Sequence, residues 1–139
     1  MAEVNSNNKF KGKNKKFIKN MVESASPSQL VSLLYDGAMQ WVLMAKQELK
    51  KNNDLDRACW TNYCHYIGMA VKIMTHLQET LDHSHAPEMA DNLFNLYDFI
   101  KNNLLVANAK KQENLLDDAV AVIKEIKMSW NEGMKLLNV

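Results

Sequence analysis

From residue 26 onward the apolar positions recur in threes and fours, in four separate runs. That spacing is the signature of amphipathic helices, and no stretch alternates with the period of two that a strand needs. In the first run Leu30, Leu34, Ala38, Trp41, Ala45 and Leu49 form the stripe. Ser26 is placed to cap it, and Pro27 fits the first helical position, where the missing N–H would have no partner anyway. The run ends in the polar stretch Lys50-Lys51-Asn52-Asn53. Asp54 can cap the second run, striped by Cys59, Tyr63, Tyr66, Ala70, Ile73 and Leu77 and expected to end between Asp82 and Ala86. Pro87 opens the third, with Met89, Leu93, Leu96 or Tyr97, Ile100, Leu104 and Ala107, and Asn108 to Lys111 reads as the next corner. The fourth alternates strictly: Leu116, Ala119, Ile123, Ile126, Trp130, Gly133 and Leu137. Four such helices with short connections predict an all-α fold, an antiparallel up-down-up-down four-helix bundle.

The first run contains a turn dipeptide, Asp36-Gly37. The stripe passes straight through it, so the pair is predicted to be helical. A glycine in a helix costs about 1 kcal/mol against alanine. One return on that cost is close approach by another chain, on the side that Gly37 shares with Leu33 and Met44.

A bundle helix needs one apolar stripe, and these helices have more. Leu33 and Met44 lie to one side of the first stripe, Met39 and Leu43 to the other. Trp60, Cys64, Ile67 and Val71 make a second stripe on the second helix. Phe94 and Leu105 flank one edge of the third helix, Phe99 and Val106 the other. Such residues either pack against neighbouring helices or line grooves for a partner's helices, and methionine-rich walls suit the second use.

Composition sharpens this in a few respects. Only 4 Gly and 2 Pro occur in 139 residues, too few turn formers for a many-stranded fold. The net charge is +1, but residues 1–20 hold six lysines against Glu3, which leaves a net −4 for the rest. Residues 1–16 are therefore expected to be a flexible, disordered basic arm, and residues 17–139 a single helical domain. The arm has one aromatic among its lysines, Phe10, and no basic folded face accompanies it, which argues against nucleic acid as a partner. No run of about 18 apolar residues occurs, so no stable membrane insertion is expected, and no secretory leader is evident. Cys59 and Cys64, five apart, fall on different helix faces and read as reduced thiols of a cytoplasmic protein.

Reactive chemistry is hard to assemble. None of the four histidines follows a glutamate by three residues, as a di-iron bundle requires. Asp82-His83-Ser84-His85 has no second ligand cluster, and Cys64-His65 are adjacent helical positions that point apart. No glycine-rich phosphate loop occurs. The expectation is no enzyme, no catalytic residue, no cofactor and no metal.

Four blocks, in order and spacing, resemble the flagellar secretion chaperone family FliS: "FIKNMVESASP", "QLVSLLYDGAMQW", "NLFNLYDFIKNNLLVANAKK" and "IKEIKMSWNEG". The resemblance runs from about Phe17 to Trp130. It departs from the family's usual pattern at Phe17, where a Tyr is common, and at Asn102-Asn103, where Arg pairs are common. It implies a non-enzymatic chaperone that binds the disordered C-terminal region of flagellin, prevents premature polymerisation and keeps it competent for flagellar type III secretion. It further implies delivery to the flagellar export gate, with the N-terminal segment involved. On that reading the partner-binding candidates are Leu33, Gly37, Met39, Leu43, Phe94, Phe99, Leu105 and Val106, with Phe17 and Ile18 as a movable cover. A reading from another class is a structural bundle that homodimerises through its surplus stripes.

Overall fold

The computed structural model describes residues 26–51, 57–84 and 86–136, excluding the side chains of Met134 and Leu136. The basic arm, Phe17, Ile18, the Asp54 cap, His85 and Leu137 lie outside the described residues. What is described is helical, with no strand: α1 (Pro27–Lys51), α2 (Arg57–Glu79), α3 (Pro87–Lys110) and α4 (Glu113–Leu136). This is consistent with a four-helix bundle.

α1 opens on a reciprocal capping box. Gln29 N–H donates to Ser26 Oγ at 3.2 Å, and Ser26 N–H donates to Gln29 Oε1 at 2.9 Å. Two donors that the first turn would leave orphaned are thereby satisfied. Asp36-Gly37 is helical as expected, and among the described residues no glycine has a positive φ.

α2 stops at Glu79, three residues before the predicted limit. Beyond it the Asp82 carboxylate accepts the Ser84 N–H at 2.9 Å, a turn that competes with further helix. α3 runs on to Lys110, so the corner is Lys111-Gln112 rather than Asn108 to Lys111. Lys111 itself turns the chain, in the left-handed region (φ 55°, ψ 39°), and its N–H donates to Ala107 O at 2.8 Å. The same carbonyl accepts the Tyr63 hydroxyl at 2.6 Å. Trp60 stacks on Tyr63 (5.9 Å between centroids), and Lys111 Nζ sits 4.6 Å from the Trp60 centroid. The start of α2 is thus pinned to the end of α3 by one carbonyl and a cation–π contact.

α3 packs against both α2 and α4. α1 and α4 run antiparallel in constant register: Ser32 bonds Asn131, Asp36 pairs with Lys127, Lys46 with Asp117 and Lys50 with Glu113. Each step forward on α1 is matched by an equal step back on α4. Exposed pairs of this kind contribute about 0–1 kcal/mol each, so they select the register more than they stabilise it.

The core takes a different column of α1 from the one the sequence suggests. Tyr35, Ala38, Val42 and Ala45 are fully buried, while Leu34, Trp41 and Leu49 are half-buried around them. On α2 the buried set is Tyr63, Ile67, Ala70, Met74 and Leu77, leaving Tyr66 and Ile73 half-buried. Ile67 is therefore core, and Trp60, Cys64 and Val71 pack against it; this second stripe of α2 is internal, not surplus. Met89, read as core, is exposed, and of the alternatives Leu96 and Tyr97 it is Tyr97 that is buried. On α4 Leu116, Ala119, Ile123 and Ile126 are buried as expected, with Trp130 half-buried.

Burial pushes the Tyr63 hydroxyl up to about 12, from an ordinary value of 10.0. A raised value in the folded state means full stabilisation below pH 10 and loss as pH rises from 10 to 12. Unfolding midpoints are expected to fall across that interval, and to fall less steeply in Tyr63→Phe. At the α3 corner Lys111→Gly relieves the left-handed strain but loses the cation–π contact, whereas Lys111→Ala loses the contact and keeps the strain. Urea melts should find the glycine variant more stable than the alanine variant by about 1 kcal/mol.

Candidate functional site

The nearest thing to a binding site among the described residues is a set of apolar edges and one cleft. Their composition follows from the helical periods. On α3 the inward seam is Ala90, Leu93, Tyr97, Ile100, Leu104 and Ala107, buried at every position but the half-buried Leu93. The residues one position later, including Phe94, Asp98, Lys101 and Leu105, lie toward α2. There the buried Gln78 amide donates to Phe94 O (3.1 Å) and Asp98 Oδ1 (2.7 Å), and accepts from Lys101 Nζ (2.9 Å). Every hydrogen-bonding end of that amide is used, so this edge is firmly held. The residues one position earlier, including Leu96, Phe99 and Val106, form the opposite edge.

The expected partner residues therefore do not share one groove. Phe94 and Leu105 sit on the α2-facing edge of α3, and Phe99 and Val106 on the other. All four are exposed, Phe99 by 47% and Leu105 by 52%. Leu43 is exposed on α1, and Met39 is half-buried against the core. At 100° per residue both fall on the side of α1 that carries Asp36 and Lys46, toward α4. Leu33 is half-buried on the other side, with Gly37. A Cβ built on Gly37 lies 3.5 Å from Ile73 Cδ1 of α2. The neighbour next to this glycine is thus the protein's own second helix, at ordinary contact distance.

Two features escaped the sequence reading. The exposure of Met89, Leu96 and Met128 was one, because an amphipathic period cannot say which of two adjacent apolar columns faces inward. The other is a cleft of about 250 Å³ where the end of α2, the beginning of α3, Val31 and Trp130 meet, floored by Leu77, Ala90 and Tyr97. Small-molecule sites run from about 300 to 1,000 Å³. This one suits an apolar side chain or two of a bound segment, and only three-dimensional contacts between distant residues create it.

No group of three metal-capable side chains occurs among the described residues. Burial pushes the Cys64 thiol up, against the opposing influence of Lys111, which keeps it protonated and a poor nucleophile. Tyr35 and Tyr97 are both pushed up by burial, and their hydroxyls bond each other at 2.7 Å. Among the described residues no helix is long and apolar enough to cross a membrane.

Comparison with known proteins adds the family. A family model described as flagellar protein FliS matches residues 10–136. The flagellar secretion chaperone FliS of Vibrio cholerae is 29% identical over 115 residues, 83% of this chain and 80% of the relative. FliSB of Pseudomonas aeruginosa is 29% identical over 114 residues (82% and 86%), and FliS of Escherichia coli K12 is 26% identical over 118 (84% and 82%).

Because Gly37 has room for a Cβ at its α2 contact, Gly37→Ala is expected to raise stability by about 0.5–1 kcal/mol in denaturant melts. A loss of stability would show that α2 approaches α1 more closely than this geometry allows.

Proposed function

The chain belongs to the flagellar secretion chaperone family FliS, and from that premise we propose that it binds the disordered C-terminal region of flagellin in the cytoplasm, holding it unpolymerised and competent for type III export. The observation that carries this reading is the distribution of exposed apolar surface. Six of the eight exposed large apolar side chains among the described residues lie on α3: Met89, Phe94, Leu96, Phe99, Leu105 and Val106. An apolar helix that stays half uncovered is one prepared for a partner.

The mechanism is burial rather than bond-making. A disordered segment that folds on binding loses conformational entropy, so it needs a long apolar contact to offset the loss. The two edges of α3, with Leu43, Met39 and Leu33 on α1, are our candidate contacts, and the cleft beside Trp130 would take an anchoring side chain. Phe17 and Ile18 remain candidates for a movable cover, and handing the client to the export gate is the natural next step. No membrane insertion is part of this scheme.

Calorimetry with a flagellin C-terminal peptide tests the proposal. Binding should carry a large negative heat-capacity change. Phe99→Glu and Leu105→Glu should each weaken it tenfold or more, about 1.4 kcal/mol per tenfold, because each sets a charge in an apolar contact. Unchanged affinity in both variants, with the fold intact, would rule out α3 as the docking helix.

A further inference from the structure

The α2-facing column of α3 reads Phe94, Asp98, Lys101, Leu105: apolar at both ends and charged in the middle. Gln78 of α2 engages the first three of the four. Its Nε2 donates to Phe94 O and to Asp98 Oδ1, and its Oε1 accepts from Lys101 Nζ. One amide therefore joins an anion and a cation that sit one turn apart, and each charge strengthens the bond on its own side. Gln78 is buried, Asp98 and Lys101 are half-buried, and Phe94 and Leu105 stay exposed.

Burial alone favours drawing those two apolar side chains in. Val71 lies two turns before Gln78 on the same side of α2 and is only half-buried. A small rotation of α3 toward α2 covers Phe94 and Leu105 and gains the free energy of removing them from water. The same rotation drives Asp98 and Lys101 deeper and pulls them off the amide, which leaves polar groups short of partners in a drier place. Rotation the other way carries both charges out of reach and strands the buried amide. The polar middle of the column thus opposes rotation in either direction. The neutral tyrosine bonds to Tyr97 and Ala107 act on the inward side of α3. Only the Gln78 network acts on the column that carries Phe94 and Leu105.

We infer that Gln78 is a positioning residue for partner binding. Through Asp98 and Lys101 it holds α3 at the rotation that keeps Phe94 and Leu105 outside, and it contributes a unique arrangement rather than net stability. The purpose of that arrangement rests on the chaperone reading; the arrangement itself belongs to the free chain. Ionic networks away from water are often replaceable by apolar side chains with no loss of stability. Here the loss falls on the setting of the helix.

The test compares the full wild-type chain with the triple variant Gln78→Leu/Asp98→Leu/Lys101→Leu, with Gln78→Glu, and with Gln78→Glu/Asp98→Asn. Each is melted and titrated with the flagellin C-terminal peptide. Each is also prepared with fluorinated phenylalanine, and the exposure of the rings is read from relaxation by a soluble gadolinium chelate. The triple variant should melt no lower than wild type, lose chelate relaxation at Phe94 but not at Phe99, and bind about tenfold more weakly. Gln78→Glu keeps the acceptor for Lys101 but sets two carboxylates together, so it should also weaken binding. Adding Asp98→Asn supplies a donor again with the polarity reversed, and affinity should recover; side-chain shape alone gives no such rescue. A triple variant that melts below wild type makes the network a plain stabiliser and overturns the inference. Unchanged exposure of Phe94, unchanged affinity of the triple variant, or no rescue by Asp98→Asn overturns it as well. Failure of the wild type to bind the peptide overturns the chaperone reading and the role in partner binding with it. The fluorine signal, read on the free chain, keeps that failure distinct from a failure of Gln78 to set the rotation.

Discussion

Three buried tyrosine hydroxyls fix how the helices meet α3. Tyr35 reaches from α1 to Tyr97, and Tyr63 reaches from α2 to the carbonyl of Ala107. In the dry interior such bonds tolerate little sliding, because breaking one strands a polar group away from water. α3 is therefore held from within at its middle and near its C-terminal end. The edge of Leu96, Phe99 and Val106 is left exposed, and it can remain apolar without putting the register of the helices at risk.

This division of labour explains an otherwise awkward sequence. A helix with apolar residues on three adjacent columns could settle in any of three rotations about its axis. The α2-facing column is settled by Gln78, whose amide engages Phe94, Asp98 and Lys101. The central column is settled by Tyr97 and the small residues Ala90 and Ala107. What remains, the column of Leu96, Phe99 and Val106, is the part that the protein's own architecture does not use.

Much of this was legible in the sequence, for physical reasons that differ by element. The four helices follow from the 3–4 recurrence, and the start of α1 from Ser26 and Pro27. The exposure of Leu43, Phe94, Phe99, Leu105 and Val106 followed from their angle to the buried stripes. The column choice on α1 did not: Leu34-Trp41 and Tyr35-Val42 are equally good apolar pairs by period. Tyr35 goes inside because Tyr97, 62 residues away, offers its hydroxyl a partner. Period left the second stripe of α2 open between internal packing and a groove for the same reason, and the structure places Ile67 in the core. The α3 corner was placed too early because a lysine in the left-handed region leaves no mark in composition, as a glycine would. The cleft is a property of packing, which no periodicity encodes.

The position of Trp130 has a practical meaning. Its indole forms part of the cleft wall and meets the Tyr35 ring edge-on, 6.5 Å between centroids. Trp60 lies beneath Lys111 at the α3–α4 corner, and Trp41 is stacked on Tyr66. A side chain entering the cleft would change the surroundings of one tryptophan and leave the other two as they were. The protein thus contains its own optical gauge, with one indole reporting occupancy and two serving as the internal reference.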